Sequence, residues 1–143
     1  MSNLKDLTWE HHQKAESSDF ANVLMSGEIT PHQYQQYLFN QCICYGALEN
    51  VVDLPEEFRR VFRADAIYAD MMEITHDNGL TMPETPLQTT VEYVNYIESI
   101  KRDNRKLLAH VYVRHFGDLH GGQMIKKKVP GSGKYYDFED RYE

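Results

Sequence analysis

No run of about 18 apolar residues occurs in the chain, so nothing in it reads as a membrane span. Cysteine is down to two, Cys42 and Cys44. Two positions apart on a helix they face different sides, which argues against a disulfide between them and against a shared metal. Five prolines and eight glycines in 143 residues are too few for a loop-rich β fold, and period-2 strand patterns are essentially missing. Positive charge is in deficit: 15 Lys and Arg against 22 Asp and Glu leave a net charge of −7. With no basic stripe interleaved with aromatics, nucleic acid is not an expected partner. The amphipathic N-terminus lacks the apolar core of a signal peptide, so a cytoplasmic protein is expected. The 41% of hydrophobic residues suffice for one core, and a single domain over residues 1–143 is the expectation.

What is present is helical punctuation. Asp19 to Met25 reads as a short helix ended by Gly27. Thr30-Pro31, a cap followed by proline at the first helical position, opens a long helix through about Val52. Tyr34, Leu38, Gln41, Tyr45 and Leu48 share one of its faces. Pro55 begins another helix, which runs on through Ile67, Met71 and Ile74 to a stop at Asp77-Asn78-Gly79. Thr85-Pro86 repeats the cap-plus-proline signal ahead of Val91, Val94 and Ile97. A long helix from about Lys101 to Lys128 and a turn over Val129 to Gly133 complete the pattern. The fold class expected is all-α.

The last long helix carries an anomaly. Gly117, Gly121 and Gly122 fall within six residues, at about 1 kcal/mol each against alanine. Spaced i, i+4 and i+5, they share a face without Cβ atoms, bordered by Asp118. Such a notch suits either a kinked helix lying over a large planar ligand or close packing of two helices, and the glycines alone do not choose. The N-terminal segment bears on the choice. His12 and Glu16 are i, i+4 on a segment rich in helix formers. A carboxylate accepting the Nδ1 proton fixes the imidazole tautomer and frees Nε2 for a metal. His11 lies about 100° around the same helix and lacks that spacing to Glu16.

Both segments resemble the signature segments of the haem oxygenases. That family's proximal H-x-x-A-E pattern is matched by His12-Gln13-Lys14-Ala15-Glu16, and its distal Y-x-R-x-x-G-D-L-x-G-G-Q pattern by Tyr112 through Gln123. Tyr45-Gly46-Ala47-Leu48-Glu49 adds to the likeness, which runs along nearly the whole chain. The resemblance implies haem as both substrate and cofactor, sandwiched between an N-terminal proximal helix and a kinked, glycine-rich distal helix. His12 is then the ligand of the haem iron and Glu16 its support. Gly117, Gly121 and Gly122 let the distal backbone approach the ring, and Asp118 delivers a proton through ordered water. Arg114 and Tyr45 belong to the same water network, while Tyr112 and Lys5 lie near the haem propionates.

The implied activity is a monooxygenase that opens haem to biliverdin with O2, releasing carbon monoxide and ferrous iron. Its electrons come from ferredoxin or another reductase, and Lys126-Lys127-Lys128 is a candidate docking patch. The chain departs from the family at Trp9, where a basic residue is common, and at His115 and His120. The family's helices beyond the Tyr135-Tyr136-Asp137-Phe138 segment are largely absent. This shortened C-terminus implies weaker haem binding, unless a neighbouring protomer in an oligomer supplies the missing wall. The alternative function is therefore a haem-binding or haem-sequestering protein with impaired turnover. A di-iron carboxylate site stands further off: Glu73-Ile74-Thr75-His76 is one E-x-x-H pattern, and a second is absent.

Overall fold

Helix starts leave free amides, and in this chain side chains take them up. The computed structural model describes Asp6, Trp9, Glu10, Gln13, Lys14 and residues 18–138, with no strand among them. The five described residues before Ser18 are all helical and exposed.

Helix α1 (Asp19–Ser26) is capped by Ser18, which accepts from the Ala21 amide, and ends at Gly27 with φ +79°. Helix α2 (Pro31–Glu49) starts on a capping box formed by Thr30 and Gln33. It buries Tyr34, Leu38, Tyr45 and Leu48, the face expected from spacing. It stops short of Val52, because the Leu48 carbonyl accepts from both Val51 and Val52 and turns the chain.

The continuous helix expected from Pro55 is broken. Glu56–Val61 forms a 3-10 turn, Phe62 is extended, and α3 (Ala64–Asp77) begins afresh. Glu49 at the end of α2 decides this, since its carboxylate accepts from the amides of Arg63 (2.6 Å) and Ala64 (3.1 Å). Helix α4 (Gln88–Ser99) likewise starts two residues after Pro86. Its cap comes from another helix: Asn40 Oδ1 on α2 accepts from the Leu87 amide (2.9 Å) and the Thr90 hydroxyl (2.7 Å).

The long glycine-bearing helix resolves into α5 (Asn104–Val111), a π turn (Tyr112–Phe116) and α6 (Gly117–Lys126). The π turn falls inside the Tyr112–Gln123 motif, immediately before the glycines that sequence alone marked as anomalous, and such turns often accompany functional sites. Three clusters build the core, the smallest being Leu54, Val61 and Phe138. Tyr34, Leu38 and Tyr45 meet Ile67, Met71 and Ile74 of α3, while Leu48 and Ile97 meet Leu107 and Val111.

After α6 the chain returns to α3. Glu73 accepts from the amide (2.6 Å) and hydroxyl (2.9 Å) of Ser132. Buried Asp70 accepts from the amides of Lys134 (2.9 Å) and Tyr135 (2.8 Å). These bonds hold a short 3-10 turn, Lys134–Tyr136, against α3 and α6.

Candidate active site

Asp118 sits in the first turn of α6 and is half-buried. Tyr45 of α2 donates its hydroxyl to Asp118 Oδ2, and Tyr135 donates to the same oxygen at 2.9 Å. Burial pushes the Asp118 carboxyl above the usual carboxylate range, and the hydrogen bonds from Tyr45 and Tyr135 pull the other way. Burial raises both phenols well above the ordinary tyrosine value, and the Asp118 charge adds to it. They are therefore proton donors and not phenolates.

Arg114 lies one turn earlier, on the π segment. Its Nε donates to the Tyr93 hydroxyl (3.0 Å) and its Nη1 to Gln41 Oε1 (3.1 Å). The guanidinium also lies over the Tyr93 ring, 4.2 Å from the centroid. Planar, fully charged and held at two nitrogens, it is a fixed positive group beside Asp118. Its fully buried neighbour His115 donates through Nε2 to Glu49 (2.9 Å). Glu49 thus joins the π turn to the start of α3.

The three glycines do not form one groove. Apart from the adjacent residues and the helix's own backbone, no heavy atom of the described residues comes within 4 Å of a Cβ placed on Gly117 or Gly121, and both are exposed. Gly122 is buried, and a Cβ there would overlap the Tyr136 ring. The uncovered strip is thus Gly117 and Gly121 with Asp118 between them. Gly122, expected to face a ligand, instead makes room for an aromatic ring, which is the close-packing reading of the same sequence feature.

Comparison with known proteins meets this geometry. The family model described as "Heme oxygenase" matches residues 1–139. The chain belongs to the haem oxygenase family. Among curated relatives, "Heme oxygenase" of Porphyra purpurea is 29% identical over 154 residues, which cover 96% of this chain and 65% of that protein. The chain therefore spans just under two thirds of that relative's length. The solved structure of heme oxygenase from Leptospira interrogans superposes with a TM-score of 0.76 at 29% identity, covering 95% of this chain and 74% of that one. Heme oxygenase-1 of the cyanobacterium Synechocystis, solved in complex with heme, shares the fold with a TM-score of 0.75 at 21% identity. That match covers 94% of this chain and 68% of the other.

Within this haem oxygenase fold, Tyr45, Arg114 and Asp118 come together as one hydrogen-bonded cluster. Tyr112 stands outside it, 51% exposed on the π turn. His12, Glu16 and Lys5 lie outside the described residues. Of the alternative di-iron pattern, Glu73 is taken up by Ser132, and exposed His76 faces Asp77 at 3.2 Å. Gln41, Tyr93 and Tyr135 were not foreseen as site residues. Gln41 had a signal, a polar residue on an otherwise apolar face. Tyr93 and Tyr135 had none, because only tertiary packing brings them to Arg114 and Asp118. The residues present fit a flat ligand such as haem: a strip of helix backbone that no side chain covers among the described residues, with a polar cluster beside it.

Proposed function

We propose that this chain opens haem to biliverdin, with release of carbon monoxide and ferrous iron, and that Asp118 is its proton-delivering residue. The observation that carries this reading is a carboxyl with raised proton affinity, held by two phenols beside the uncovered backbone of Gly117 and Gly121. Haem, when bound, supplies the iron at which O2 is reduced and the ring carbon that is oxidised. Gly117 and Gly121 admit the ring face close to α6, where a side chain would hold it off. Asp118 gives its proton through ordered water, which is milder than direct donation, and recovers it from solvent. Tyr45 holds that carboxyl, and the guanidinium of Arg114, fixed by Tyr93 and Gln41, is assigned to the waters about it. His12 would bind the haem iron through Nε2, and Glu16, four residues on, would keep its second nitrogen occupied. Lys5 and Tyr112 are assigned to the propionates.

Electrons come from an acidic donor of the ferredoxin type. Lys127 and Lys128 are exposed beside Lys126, which lies 3.8 Å from Asp137. A local positive patch on a chain of net charge −7 orients such a partner. No helix among the described residues is long and apolar enough to cross a membrane, and the proposed setting is the cytoplasm.

The test is to add ferric haem to the full chain, then ferredoxin, its reductase and NADPH in air. Loss of the Soret band with rising biliverdin absorption is the expected result. A haem spectrum that is reduced but then persists would show binding without turnover.

A further inference from the structure

Both phenols at the site meet the same carboxylate oxygen, and each has a second acceptor. The Tyr45 hydroxyl reaches Asp118 Oδ2 and, at 3.2 Å, the Arg114 carbonyl. The Tyr135 hydroxyl reaches Asp118 Oδ2 at 2.9 Å and the Tyr45 oxygen at 3.2 Å. A phenol has one proton to donate, so each hydroxyl must choose. Asp118 Oδ1 accepts no hydrogen bond from the described residues.

We propose that Tyr135 is a positioning residue for Asp118, forming with Tyr45 a pair of hydroxyl rotors that follows the carboxyl between its ionised and neutral states while every heavy atom stays in place. With Asp118 ionised, both hydroxyls donate to Oδ2 and stabilise the charge. A proton arriving from water binds the free Oδ1, and Oδ2 becomes the weaker acceptor. Tyr135 then turns its proton to the Tyr45 oxygen, and Tyr45 turns its own to the Arg114 carbonyl. When Oδ1 loses its proton to the water chain, both rotors swing back. Neither phenol gains or loses a proton, and neither of the two hydroxyls is left unpaired in either state. Such preorganisation removes the reorganisation that water would otherwise supply.

Tyr135 is built for a fixed position. Its backbone amide is held by Asp70, its ring stacks on Tyr136 at 4.1 Å and 11°, and it meets the Tyr45 ring edge-on at 5.7 Å. Only the hydroxyl torsion is left free. The other groups bearing on Asp118 are Tyr34 and Tyr37 of α2, Arg114 and His115 of the π turn, Arg63 before α3 and Tyr136. Among the described residues only Tyr45 and Tyr135 donate to the carboxylate.

The inference deepens the proposed role of Asp118 and rests on it for its use in turnover, but its test does not require turnover. In the full chain labelled with 13C at Asp Cγ and Tyr Cζ, Asp118 is titrated by NMR, with Asp118→Asn to assign the signal. Tyr135→Phe should cut the ratio of ionised to neutral Asp118 about ten-fold at a given pH, one strong hydrogen bond to a charge being lost. Tyr136→Phe removes a neighbouring buried hydroxyl that makes no bond to Asp118, and should leave the midpoint in place. In the unmutated chain the Tyr135 Cζ signal should step at the Asp118 midpoint although Tyr135 stays protonated, and this decides the matter even if Tyr135→Phe fails to fold. Coinciding midpoints in Tyr135→Phe and the unmutated chain, or a flat Tyr135 signal, would overturn the proposal. With haem and reductant, the alkaline limb of ring opening should move up in Tyr135→Phe and not in Tyr136→Phe. A chain that never opens haem but shows the coupled titration would sink the proposed function and leave the rotor pair standing. Normal turnover with uncoupled titrations would do the reverse.

Discussion

At the residue scale, two opposing effects meet on Asp118. Burial disfavours its charge, whereas two phenols on Oδ2 favour it, and burial wins. A carboxyl whose folded-state proton affinity is raised stabilises the fold fully below its unfolded pKa of about 3.9. That contribution is lost as pH rises through the higher folded value. Asp118→Asn should therefore raise the melting temperature at pH 7, by about 2–4 °C for each kcal/mol of relieved cost. The gain should shrink as the pH is lowered toward about 4, and calorimetry across that range checks the sign. Catalysis should respond oppositely. Asp118→Ala should still bind haem but lose at least about 100-fold in ring opening, the usual scale of a general acid. Single-turnover spectra would show it, and an unchanged biliverdin yield would remove Asp118 from the mechanism.

At the element scale, the helix over residues 104–126 has two faces that look alike in sequence and differ in what covers them. Gly121→Ala puts a methyl into open space. It should keep or slightly raise thermal stability, by up to about 1 kcal/mol from helix propensity, while weakening haem binding at least several-fold. Gly122→Ala drives a methyl into the Tyr136 ring and should cost about 1–3 kcal/mol of stability. Paired melts and haem titrations separate the two. Equal losses of stability would mean that Gly121 is also a packing glycine. Helix α2 shows how elements borrow from each other. Glu49 starts α3 and holds His115, and Asn40 starts α4. Neither partnership has a local signature, so the break at Phe62 and the start at Gln88 were not legible in the sequence.

At the scale of the whole molecule, one core cluster gathers the most deeply buried tyrosines, Tyr34, Tyr45, Tyr135 and Tyr136, each at most 1% exposed. The segment after α6 is thereby tied into the core through Asp70 and Glu73, and it carries Tyr135 to the site. A ligand that binds only the folded chain stabilises all of it. Ferric haem at about 100 times its dissociation constant should add about 2.7 kcal/mol, read as a rise in melting temperature that grows with haem concentration. A melting temperature indifferent to haem would mean that this chain does not bind it in the folded state.

The sequence alone determined what local chemistry can encode. The Thr30-Pro31 pair and Gly27 mark helix ends within a few residues, and the spacing of Tyr34, Leu38, Tyr45 and Leu48 marks a buried face. The run from Tyr112 to Gln123 marks both the family and the place where the helix departs from regularity. The tertiary structure decided what depends on contacts between distant segments. It divided the three glycines between an open strip and a packed joint, because the Tyr136 ring returns from 14 positions later to cover Gly122 alone. It also placed Gln41, Tyr93 and Tyr135 at the site. A hydrogen bond between residues 17 to 73 positions apart leaves no trace in periodicity or propensity, and it exists only once burial has fixed both partners.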